Sequence, residues 1–131
     1  MDILVVDGLG GGIGRSIIEA IKNECPQYYI IAVGTNSSAS ANVKKGGADI
    51  IATGENAVIY NASHTSIIIG PLGIVFGNSM HGEITPAMAS AISLSEAKKY
   101  LLPISKCNGI IIGVEEKSVQ EYINELVNIL R

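Results

Sequence analysis

The sequence predicts a three-layer α/β sandwich: a mostly parallel sheet between two layers of helices, with an antiparallel hairpin at one sheet edge. Three observations predict it. Short apolar runs with strand character alternate with helical periodicity along the whole chain. Nearly every such run is followed directly by a polar or glycine-rich stretch. Between the first run and the first helix stands "DGLGGGIG", with five glycines among residues 8–14.

The elements follow in order. "DILVV" (2–6) is a short strand without alternation, as expected for one buried on both faces. Ile13, Ile17, Ile18 and Ile21 then recur at helical spacing, and Pro26 lies beyond that helix's end. "YYIIAV" (28–33) is the second strand, and a short helix over 38–45 is capped by Gly46–Gly47. "ADIIAT" (48–53) gives a third strand, "ENAVIYNAS" (55–63) a short helix, and "SIIIG" (66–70) the fourth strand. A glycine-rich segment runs to Glu83; its apolar part, Leu72 to Phe76, suits core packing or a subunit contact better than a lid. Thr85–Pro86 opens a helix expected to reach about Lys98. "YLLPI" and "GIIIGV" read as strands joined through Asn108–Gly109, a hairpin signal. The last helix starts at Ser118 with Glu121 in a capping box.

Composition narrows the function classes. The chain has 131 residues, enough for one domain (1–131), and is 47% hydrophobic with a net charge of −3. That apolar content favours a homodimer or larger homo-oligomer. Scattered lysines argue against nucleic acid, and no apolar run is long enough for a membrane helix. A strand pattern beginning at Asp2 is not a secretory leader, so a cytoplasmic protein is expected. Cys25 and Cys107 show no metal-ligand spacing, and no metal site is expected.

In a parallel sheet every strand's carboxyl end lies on one edge, so "DGLGGGIG", "GTNSS", "TGEN", "GPLGIVFGNSMHGE" and "SKCNG" converge there. The glycine loop admits three readings. Gly8, Gly12 and Gly14 match the Gly-x-x-x-Gly-x-Gly spacing of a dinucleotide loop, with the phosphates on the amino terminus of the following helix. "GGGIGRS" is also similar to a degenerate phosphate loop, although no later strand ends in an aspartate for Mg²⁺. Alternatively the glycines only let strand and helix pack closely. Under the first reading, Gly8, Gly10, Gly11, Gly12, Ile13 and Gly14 line the phosphates, with Gly54 on a neighbouring loop. Asp7, beside a phosphate, is expected to accept loop N–H groups and hold the turn.

The second strand ends without the acid that NAD sites place there; Thr35, Asn36, Ser37 and Ser38 stand instead, which leans towards NADP. Catalytic candidates are Asn78, His81 and Glu83, on the loop after the fourth strand; the histidine could titrate near neutral pH. A surface or subunit-contact histidine is the plainer reading of His81. Cys107, between Lys106 and Asn108, would be an activated thiol only with a depressed pKa. No Tyr-x-x-x-Lys pair occurs, so an oxidoreductase here would need other groups.

Taken together, "DGLGGGIG", "GTN", "TGENA", "GPLGI", "NSMHGEITPAMA" and "SKCN" make the chain resemble, over essentially its whole length, a family of short, stand-alone bacterial Rossmann-like proteins of unknown function. That resemblance implies one cytoplasmic Rossmann-like domain and carries no activity or catalytic residue with it. A likeness to short-chain dehydrogenases ends near Thr35 and alone motivates NAD(P). The resulting expectation is a nucleotide binder, NAD(P) with NADP slightly favoured. A non-catalytic sensor, a structural homo-oligomer, or a phosphate-ester binder remains beside it.

Overall fold

A computed structural model describes residues 2–105 and 108–131. Five strands form one sheet in the order β3-β2-β1-β4-β5, all neighbours parallel. The strands are β1 (Asp2–Asp7), β2 (Tyr29–Gly34), β3 (Ile50–Thr53), β4 (Ile67–Pro71) and β5 (Lys98–Leu102). The helices are α1 (Gly12–Glu24), α2 (Ser37–Lys45), α3 (Glu55–Ala62), α4 (Pro86–Leu94) and α5 (Val119–Leu130).

Alternation along the central strands sends side chains into two cores. Ile3, Val5, Ile30, Ala32, Ile67 and Ile69 meet α1, α2 and α5 on one face. Leu4, Val6, Val33 and Ile68 meet α3 and α4 on the other. Because both faces are covered, β1 is apolar throughout residues 3–6, and each of those side chains is fully buried. Leu72–Val75 forms a 3-10 turn after β4 whose Ile74 is buried in the second core, so this part of the long loop is core packing.

Two expectations are corrected. No antiparallel hairpin forms among the described residues: β5 is an edge strand, and "GIIIGV" is irregular chain. The reason is a tight turn in which the Val114 N–H donates to the Ile111 carbonyl at 3.2 Å with Gly113 at φ 87°. This bends the segment away from any ladder. The helix expected to reach Lys98 stops at Leu94, since Ser95 adopts extended backbone and its hydroxyl donates to the Ala62 carbonyl at 2.6 Å. β5 consequently begins at Lys98 rather than Tyr100. Lys106 and Cys107 lie outside the described residues.

Candidate functional site

The strand order reverses between β1 and β4, which opens a crevice beyond their carboxyl ends. The β1–α1 loop forms one wall. Gly11 precedes α1 at φ 74°, and a Cβ there would stand 2.7 Å from the Ala39 carbonyl oxygen, so only glycine lets α1 start against α2. Asp7 then ties the loop: its Oδ1 accepts the Gly8 N–H at 2.8 Å and its Oδ2 the Gly14 N–H at 2.6 Å. The expected turn-holding role for Asp7 is what the geometry contains. Burial pushes its carboxyl above the ordinary aspartate range; the two N–H bonds pull the other way, and nearby Glu83 adds to the rise.

Gly10 and Gly12 differ from the rest of the loop. A Cβ on either would meet nothing within 4 Å. Neither is among the residues at positive φ. Neither the turn nor local packing therefore demands glycine at these positions. Both face a cleft of about 350 Å³ lined by Asp7, Gly8, Gly11, Ile13, Ser16 and Met80, among others. Within α1's first turn, the Gly14 N–H is taken by Asp7. The N–H groups of Gly12 and Ile13 have no intrahelical acceptor, and both residues line the cleft.

The β4–α4 loop forms the opposite wall. One Glu83 oxygen, Oε1, accepts three donors: the Leu9 N–H at 2.9 Å, the Thr35 hydroxyl at 2.5 Å and the Asn36 amide at 2.8 Å. Glu83 thus clasps three strand-end loops together. The Thr35 hydroxyl, then the Leu9 N–H and Asn36, hold its carboxyl below the ordinary glutamate range despite partial burial, with a contribution from His81. Around it the backbone is strained: Asn78, Met80 and His81 all sit at positive φ, at 68°, 56° and 56°. Met80 is buried against Gly8 and lines the cleft, whereas Asn78 and His81 are exposed and are not part of its lining. The sequence-predicted trio therefore shares one loop, with Glu83 turned inward and the other two outward.

At the end of β2, Asn36 caps α2 by accepting the Ala39 N–H at 2.8 Å and also donates to the Leu9 carbonyl. Ser37 and Ser38 are exposed on α2's first turn, and Gly54 caps α3 at φ 98°. A larger furrow of about 930 Å³ runs between α1 and α5 and includes Glu24 and Arg131. Those two pair with each other at 2.6 Å, and no strand end lines it, so the crevice is the better candidate. Among the described residues, no three His, Cys, Asp or Glu side chains gather to hold a metal, and no helix is long and apolar enough to cross a membrane.

A family profile described as "Domain of unknown function (DUF3842)" matches residues 2–131. The chain belongs to that family. No curated protein matches this DUF3842 chain. Among solved structures it is similar to a dodecameric FMN-dependent UbiX-like decarboxylase from Escherichia coli O157:H7. The identity is 14% and the TM-score 0.50, over 97% of this chain and 90% of that one. At that identity the likeness establishes the Rossmann-like fold. That enzyme depends on FMN, not on a nicotinamide, and the expected NAD(P) is corrected accordingly. The geometry of the DUF3842 chain supplies a physical reason. Where the 2′-phosphate of NADP would approach the end of β2, Thr35 and Asn36 already donate to Glu83, and a carboxylate there repels phosphate.

Proposed function

We propose that this chain binds flavin mononucleotide in the strand-end crevice, with the phosphate on the amino terminus of α1 and the ring toward Met80. The observation that carries the reading is the open pair Gly10 and Gly12 over a cleft, beside the N–H groups of Gly12 and Ile13. Backbone N–H groups and the helix dipole favour an anion there. The similar fold of an FMN-dependent enzyme supports choosing a flavin among phosphate-bearing ligands. Among the described residues no lysine or arginine lines the cleft, and backbone N–H groups are the donors it offers a phosphate.

A cleft of about 350 Å³ is at the small end for a cofactor site, so the ring is only partly enclosed by one chain. That favours a homo-oligomer in which a second copy adds a wall; the structurally similar enzyme is dodecameric. Glu83 acts as a positioning residue, because its carboxylate is committed to three donors. If the bound flavin supports a reaction, the exposed His81 imidazole is the group of that loop able to move a proton, and the Asn78 amide can only hydrogen-bond.

The test is calorimetric titration with FMN and, separately, with riboflavin. The reading expects FMN to bind and riboflavin to bind at least tenfold more weakly, since the phosphate carries the contact. Equal affinity for both, or none for either, refutes it. His81→Ala should leave FMN affinity unchanged while lowering any turnover.

A further inference from the structure

The connection between β5 and α5 exposes a concentration of aliphatic surface that the fold does not use. Ile110 is 82% exposed, Ile112 90% and Val114 47%. The tight turn closed between Ile111 and Val114 puts Ile112 at its apex. The base of this turn is anchored. The Tyr122 hydroxyl donates to the Glu115 carbonyl at 3.1 Å and accepts the Lys117 N–H at 2.9 Å. Lys117 pairs with Glu125 at 2.9 Å. The turn is therefore held out from its own chain, and such a cluster marks a contact surface.

A matching recess exists on the same molecule. β5 is the sheet edge, and between it and α5 runs a mainly apolar groove of about 160 Å³ lined by Tyr100, Leu101, Pro103, Leu126 and Ile129, among others. It has room for one branched aliphatic side chain. Ile129 on its rim is 61% exposed. An adjoining hollow continues past Tyr100 to Lys98. The Lys98 ammonium lies 5.6 Å from the Tyr100 ring centroid and, among the described residues, makes no salt bridge. The turn is followed at once by Glu115 and Glu116, both exposed. The one acidic residue lining the groove, Glu125, is paired with Lys117 of its own chain, so knob and groove are complementary in apolar character and, at the adjoining Lys98, in charge.

We propose that the turn at Gly109–Val114 of one copy seats Ile112 in the β5–α5 groove of a second copy, with Glu115 and Glu116 beside the partner's Lys98. Knob and groove are different patches carried by every chain, so the contact closes either as a reciprocal pair or as a ring. The surface is argued without reference to any ligand and stands apart from the flavin reading.

The experiment uses the full chain without added flavin. Light scattering after size exclusion should give wild type a mass above the single-chain 13.7 kDa. Ile112→Asp should shift the mass to one chain, with the circular dichroism of a folded protein. Lys98→Glu should weaken association, and Glu115→Lys with Glu116→Lys in the same chain should restore it. In a Cys107→Ser background, differently tagged chains carrying Ile112→Cys and Ile129→Cys are co-expressed and oxidised. A disulfide joining the two tags is expected, and this readout does not depend on how the aspartate variant folds. A wild-type monomer overturns the proposal. So does an oligomer indifferent to Ile112→Asp, or the absence of a disulfide between the tags.

Discussion

Gly12→Ala separates the two explanations of the glycine loop, because they predict opposite signs. If glycine at this position served packing, alanine would clash. A Cβ at Gly12 meets nothing within 4 Å, whereas one at Gly14 meets Asp7 and Val43 at 2.8–3.0 Å. Gly12 is also the first residue of α1, and alanine exceeds glycine in a helix interior by about 1 kcal/mol. Roughly half of that is reasonable at a first turn, or about +2 °C in Tm for a chain of this size. The added methyl nevertheless enters open space at the cleft that Gly12 and Ile13 line. Holding a phosphate off their N–H groups loses about 2–3 kcal/mol, or roughly 30- to 150-fold in Kd. Thermal melts and FMN titrations on wild type and Gly12→Ala measure both effects. A variant that is less stable than wild type, or that binds FMN as tightly, refutes the reasoning.

Other consequences follow from the same geometry. Gly14→Ala forces its methyl against the buried Asp7 and Val43; overpacking of about 1–3 kcal/mol outweighs the helix gain, and a Tm several degrees lower should be seen. Glu83→Ala strands the donors of Leu9, Thr35 and Asn36; the site is part-exposed, so about 1 kcal/mol is expected. Hydrogen exchange should quicken over residues 78–84, and Glu83→Gln should restore most protection. Because the Glu83 pKa is lowered by folding, its contribution is present above the ordinary glutamate range and is lost as pH falls through the lowered folded value. Melts of wild type and Glu83→Ala should therefore converge in acid.

Much of the architecture was legible because its signals are local. Non-alternating β1, the isoleucine stripe of α1 and the Ser118–Glu121 capping box each identify an element, and alternation of strands and helices forces their loops to one edge. Asp7 was readable for the same reason, since both its partners lie within seven residues. The clasp by Glu83 was not: its donors come from loops 47–74 positions away, and no pattern near Glu83 announces them. "GIIIGV" failed differently, because an apolar run looks the same whether it pairs in a sheet or stands exposed for a partner. α4 ended early through a bond from Ser95 to distant Ala62. The cofactor was misjudged because glycine spacing reports an anion near backbone N–H groups, a feature common to every phosphate-bearing cofactor.

The most direct test of the central claim is native mass spectrometry of freshly purified protein, followed by denaturation and identification of released small molecules. Retained FMN, or its uptake after incubation and its loss in Gly12→Ala, is the predicted result. A wild-type protein that carries no flavin and takes none up contradicts the account.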